Sequence, residues 1–206
     1  NFLTYLKEHN TPLDFYSWHV YVSDPRQVLE VETQTREMLD SFGFENAESI
    51  LDEWNYVKGW NNDEWLYSLR TEKSIKGAAF TAAVMFESQY RPLDMLMYYD
   101  ARPCSMNGLF ATDYVCDRLK GYYPFRMFNE LVKLGDSLKT ESDCDKLFSC
   151  AAKSENAMAF VVAYFDDDNN AEEKERAILF CDEFGFAETA WLPYGTYVVE
   201  QIDGWE

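Results

Sequence analysis

Glu53 is the residue whose neighbours could support nucleophilic chemistry. It lies in Ser49-Ile50-Leu51-Asp52-Glu53-Trp54-Asn55, where an apolar pair runs into a carboxylate flanked by Asp52, Trp54 and Asn55. Ile50 and Leu51 suit a short buried strand, and a buried parallel strand delivers the residue at its C-terminal end to a functional face. If three such strands follow one another, their ends bring together His19 and Tyr21, Glu53 and Asn55, and Tyr98 or Tyr99. A carboxylate beside an imidazole, a phenol and an amide stays ionised and aimed, which suits attack on the anomeric carbon of a sugar. Aromatic side chains stack on the apolar faces of sugars, so Trp54, Trp60 and Trp65 are candidate platform residues. Each residue also has an ordinary reading. Glu53 could cap a strand, His19 could be a hydrogen-bonded core histidine, Tyr21 and Tyr98 core aromatics, and Trp60 and Trp65 loop anchors.

The elements that must position these groups read as follows. Residues 2–9 suit the end of an amphipathic helix stopped by Asn10 and Pro12. Leu13 to Tyr21 is an aromatic, β-prone strand, and 26–42 carries helical spacing through Val28, Val31, Thr35, Met38 and Leu39 up to Gly43. The strand of Glu53 follows, then a loop holding Trp54, Tyr56, Trp60 and Trp65, then a helix expected over about 72–90. Leu93 to Tyr99 makes a third apolar strand, and 123–134 a further amphipathic helix on Phe125, Phe128, Leu131 and Leu134. Strands joined in series by helices predict a parallel α/β sheet or barrel. Beyond about residue 145 the runs 147–152, 157–164, 177–181 and 197–202 are short and β-prone, which suggests a small appended β-sandwich. The expected domains are therefore 1–140 and 141–206.

Bulk composition narrows the partners. A net charge of -19 argues against nucleic acid and anionic membranes, both of which would repel the chain. No apolar run reaches the length of a membrane span, and no signal peptide is visible. Five cysteines without a CxxC pair cannot form a complete disulfide set, which favours reduced thiols and a cytoplasmic location. With His9 and His19 as the two histidines there is no zinc spacing, and Asp166 to Glu173 lacks the Gly and the spaced Glu of a calcium loop, so no metal and no cofactor is expected. The chain opens at Asn1 in helix-like sequence, which reads as a cut inside a larger protein.

Asp14-Phe15-Tyr16-Ser17-Trp18-His19-Val20-Tyr21 resembles the sixth-strand pattern DFxSxHxY of glycoside hydrolase family 39, the β-xylosidase and α-L-iduronidase family. Leu51-Asp52-Glu53-Trp54-Asn55 resembles its seventh-strand TEFN/SEWN, and Gly121 to Leu131 is similar to its last barrel helix. Order and spacing agree over most of the chain. The resemblance implies units six to eight of a (β/α)8 barrel followed by the sandwich. It implies a retaining mechanism with Glu53 as nucleophile, supported by His19 and Tyr21, and a carbohydrate substrate touched by Trp54, Asn55, Trp60, Trp65, Tyr98 and Arg102. The acid/base residue would belong to an Asn-Glu pair ending a fourth strand that would precede Asn1. Asn129-Glu130, in an amphipathic helix, is not that pair. The eighth strand departs from the pattern: Met97-Tyr98 stands for Tyr-Trp, and Arg102 follows where an acidic residue would be expected. Arg102 could favour an acidic sugar or form a surface salt bridge. Such a fragment would be inactive alone, and its strand edges would pair with another copy or with the missing N-terminal half. The alternative is a non-catalytic carbohydrate-binding or interaction module.

Overall fold

A computed structural model describes residues 2–113 and 115–170 in full, and residues 176–181, 187–192 and 197–203 as backbone strands. After α1 (Phe2–Glu8) the chain alternates strands and helices: β1 (Phe15–Val22), α2 (Pro25–Phe42), β2 (Glu48–Tyr56), α3 (Asn62–Glu72), α4 (Ile75–Ser88), β3 (Met95–Tyr98) and α5 (Tyr122–Leu134). The three strands form one sheet in the order β1-β2-β3, and both pairings are parallel. This is the α/β arrangement expected from strands joined through helices.

Local chemistry sets the helix ends. Asp24 caps α2 by accepting from the Arg26 backbone N–H, Pro25 fills the first turn, and Gly43 ends it with φ of 88°. That left-handed conformation is one that glycine reaches without a side-chain penalty. The single helix expected over 72–90 is two helices. Asn61 caps α3 by accepting from Glu64, and Ser74 caps α4 by accepting from Lys76 and Gly77. Gly77 lets the two helices meet, since a Cβ there would lie 2.3 Å from the Thr71 carbonyl oxygen. Trp65 therefore belongs to a helix and not to a loop. Trp54 and Tyr56 belong to β2, which runs three residues past Glu53.

Sheet β1-β2-β3 has two unlike faces. On β1, Tyr16, Trp18, Val20 and Val22 pack into the core, so Ser17, His19 and Tyr21 take the opposite face. On β3, Leu96 and Tyr98 pack inward, while Met95 and Met97 remain exposed on the other side. α4 lies under the inner face and is buried nearly all round, including Ala79, Phe80, Ala83, Val84 and Phe86. Its apolar sequence has little amphipathic contrast because it is enclosed by layers on two sides.

The second layer is antiparallel. β4 (Asp136–Leu138), β5 (Leu147–Lys153), β6 (Ala157–Tyr164) and β9 (Tyr197–Asp203) form a four-stranded sheet in the order β4-β5-β6-β9. β7 (Arg176–Cys181) and β8 (Ala187–Leu192) form a separate pair. Phe148, Cys150, Ala152, Ala159, Val161 and Ala163 join the same core cluster as Leu51, Trp54 and Phe80, so one hydrophobic core runs through both layers. Burial raises the Cys150 thiol to about 11, and Cys104, Cys116, Cys144 and Cys150 are free.

The acidic segment after β6 serves as a clasp. Asp167 accepts from the Tyr56 hydroxyl at 2.6 Å, from Lys76 Nζ at 2.9 Å and from Lys58 Nζ. Burial pushes this carboxyl up, but the bonds from Lys58, Tyr56 and Lys76 outweigh it and hold it below the ordinary aspartate range. Asp166 is paired with Lys146. Amines thus occupy these oxygens, and no cluster able to hold a metal ion occurs among the described residues. Residues 171–173 of that stretch lie outside them.

Candidate active site

The site is built by an irregularity in β2. Trp18 pairs with Leu51 but His19 pairs with Glu53, so Asp52 is an extra residue in β2 at that step. Leu51 and Trp54 both enter the core, and the two residues between them are left on the face of His19. A regular strand would send 52 and 53 to opposite faces.

Five side chains converge there. Tyr21 donates its hydroxyl to Glu53 Oε2 at 2.7 Å, and His19 Nδ1 lies 3.4 Å from the same oxygen. His19 Nε2 lies 3.1 Å from Asp52 Oδ1, and Ser17 donates to Asp52 Oδ2 at 2.6 Å. Burial, and then the bond and charge of Glu53, push the Tyr21 phenol well above the ordinary tyrosine range. Tyr21 therefore keeps its proton and acts as a fixed donor to a carboxylate that remains about one-third exposed.

Aromatic rings form the rim. Trp60 is 65% exposed and stacks on Trp65, with centroids 5.3 Å apart and planes 19° apart. Trp60 and Tyr21 meet at a near-right angle with centroids 5.8 Å apart, and Tyr21 and Tyr99 do so at 6.4 Å. An exposed indole thus stands next to the donor of Glu53, as stacking on a sugar ring would need.

The other sequence candidates lie elsewhere. Trp54 is fully buried, edge-on to Tyr98 at 5.4 Å and near Phe80, so its indole packs the core and offers no surface to a ligand. Tyr98 packs edge-on against Phe125 and accepts from the Gly108 N–H, on the helix side of the sheet. Strand alternation places both on the face opposite Glu53. Asn55 is 2% exposed; its amide donates to the Tyr99 and Met106 carbonyls and accepts from the Tyr56 N–H, so it braces the loop after β3. Arg102 is engaged by Asp100, with Nε at 2.9 Å and Nη2 at 2.6 Å from one oxygen, and it lies over the Tyr99 ring. Its charge is balanced locally, as the salt-bridge reading expected.

Ser17 and Asp52 complete the constellation without having been candidates for it, and of the two tyrosines weighed for the end of the third strand it is Tyr99 that reaches Tyr21. Ser17 was within reach of pattern, since it shares a face with His19 and Tyr21 by period two. Asp52 was not, because a bulge has no composition signal. Two buried carboxyls away from the face also escaped notice. Burial raises Glu72 to about 8 and Glu32 to about 7, the latter against the opposing hydrogen bond from Ser88.

No protein-family model matches this chain, and no curated protein sequence does. Solved structures share its fold. A monomeric β-xylosidase from Caulobacter crescentus superimposes with a TM-score of 0.71 at 12% identity, covering 98% of this chain and 58% of that one. A glucosidase from Croceicoccus marinus gives 0.64 at 20% identity, covering 94% and 41%. A family 39 β-xylosidase from Caulobacter crescentus gives 0.56 at 18% identity, covering 78% and 34%. This chain therefore has a fold found in family 39 β-xylosidases and other glycoside hydrolases, and it matches less than two-thirds of their length.

Proposed function

We propose that this chain is the C-terminal portion of a retaining glycoside hydrolase of the family 39 type, with Glu53 as its nucleophile. Units six to eight of a (β/α)8 barrel would be β1 to α5, and the antiparallel strands would form the accompanying sandwich. The observation that carries the reading is the placement of Glu53. It sits on the open face of a parallel sheet, held by the Tyr21 hydroxyl at 2.7 Å, with His19 beside it. The fold likeness to glycosidases and the exposed Trp60 next to Tyr21 support it.

In this mechanism Glu53 attacks the anomeric carbon as a second carboxylic acid protonates the leaving oxygen, and water then releases the glycosyl group from Glu53. Tyr21 and His19 keep the Glu53 oxygens oriented through both steps. The acid would come from outside these 206 residues, with its carboxyl about 5–5.5 Å from that of Glu53. The substrate would be a carbohydrate, β-xylosidase-type, stacked on Trp60 and Trp65. No cofactor is required. The exposed Met95 and Met97 and the two edge strands would be covered by the remainder of the barrel or by a second copy.

Replacement of Glu53 by Ala in the longer protein tests the reading. Hydrolysis of an activated glycoside should be lost, and azide should restore turnover and yield a glycosyl azide of inverted configuration. Unchanged hydrolysis would refute it. An exposed indole stack would also suit a module that only binds carbohydrate, and such a module would retain ligand affinity with no turnover to lose.

A further inference from the structure

The bulge in β2 gives the site a carboxylate that the resemblance does not call for. The TEFN/SEWN pattern has a hydroxyl residue before the glutamate, and this chain has Asp52. Asp52 is no bystander on the surface. Oδ2 accepts from Ser17, while Oδ1 is shielded from solvent and receives no hydrogen bond of good geometry; its charged neighbour is His19 Nε2 at 3.1 Å. The imidazole therefore stands between two carboxylates, Asp52 on Nε2 and Glu53 on Nδ1.

We infer that Asp52 is a positioning residue: through its contact with Nε2 it fixes the ring of His19 against Glu53. This rests on Glu53 being the nucleophile. The ring is met from both sides, by Asp52 at Nε2 and by Glu53 at Nδ1, and Asp52 is itself held by the Ser17 hydroxyl on its other oxygen. The ring so held stands beside Glu53 Oε2, the oxygen that also accepts from Tyr21, so loss of Asp52 frees His19 to turn away from the carboxylate it orients.

The test is steady-state kinetics of the longer protein on an activated glycoside. Asp52→Asn should lower kcat by roughly ten- to a hundredfold with KM little altered, as expected when orientation and not binding is lost. Asp52→Glu, which keeps a carboxylate at this position, should recover most of that loss; Asp52→Ser gives the same reading as Asp52→Asn should that variant fail to fold. A kcat indifferent to Asp52→Asn, or a loss that Asp52→Glu does not relieve, overturns the positioning role. A normal response to Asp52→Asn in a protein whose Glu53 is dispensable for hydrolysis overturns the nucleophile reading instead.

Discussion

Glu72 offers a prediction whose size follows from its surroundings. It ends α3 at 1% exposure, beneath the segment that carries Asp100 and Gly108, and neither carboxyl oxygen meets a hydrogen-bond donor among the described residues. Burial raises its midpoint from the ordinary 4.5 to about 8, with Lys73 opposing and Asp100 reinforcing the rise. The folded chain thus holds a proton that the unfolded chain has already released. The sign follows: stability from this group is fully present below about pH 4.5 and drains away as pH rises through 8. At pH 9 the loss approaches a ceiling of ~5 kcal/mol, and water reaching the site would reduce it. Glu72→Gln removes the titration while keeping the shape. Urea unfolding of the chain should give the variant and the original similar stability at pH 5, within about 1 kcal/mol. At pH 9 the variant should be the more stable by roughly 2–5 kcal/mol. Parallel stability profiles for the two from pH 5 to 9 would refute the assignment of a proton to Glu72.

Other substitutions address the site and the clasp. Tyr21→Phe removes a hydrogen bond to a charged oxygen, worth about 1.5–3 kcal/mol, so kcat/KM of the longer protein should fall roughly ten- to a hundredfold with the fold unchanged; steady-state kinetics and circular dichroism check both halves. Trp60→Ala should weaken carbohydrate binding by roughly three- to tenfold, measured by calorimetry with an inactive Glu53 variant, because it removes the exposed ring of the stack. Lys76→Met should destabilise the chain by about 2–3 kcal/mol, since Lys76 holds the Asp167 carboxylate and carbonyl together with Asn169. The clasp has the opposite pH sign to Glu72: Asp167 is held below its ordinary value, so its contribution is present at neutral pH and lost on acidification. The destabilisation by Lys76→Met should therefore shrink below about pH 4 in thermal unfolding.

Much of the architecture was legible because period and capping agree. The alternation of Tyr16, Trp18 and Val20 against Ser17, His19 and Tyr21 marks β1 as a strand with two faces, and Pro25 and Gly43 bracket α2. α3 was not legible because Asn62-Asp63-Glu64-Trp65-Leu66 carries no clean apolar stripe; its start rests on the Asn61 cap, and its packing against α4 on Gly77. β4 is three residues long and depends on β5 for its existence. At the site, Glu53, His19 and Tyr21 came together as their spacing suggested. Trp54 did not join them, because the extra residue at Asp52 restores the core phase of the strand directly after Glu53, and Asn55, paired with Tyr21, is kept from them by its hydrogen bonds to the Tyr99 and Met106 carbonyls. A sequence-adjacent tryptophan thereby became core, while Trp60, five residues past Asn55, reached the rim. Arg102 could be weighed as a surface ion pair from sequence, but its partner Asp100 could not be named until the turn after β3 placed the two side by side.

The central claim is that the Glu53 carboxylate is the nucleophile, and covalent trapping tests it most directly. A 2-fluoro glycoside bearing a good leaving group should add one sugar mass to the longer protein, and peptide mapping should find that mass on Glu53. Glu53→Gln should take up none. Label on another carboxylate, or equal labelling of the Glu53→Gln variant, would contradict the account.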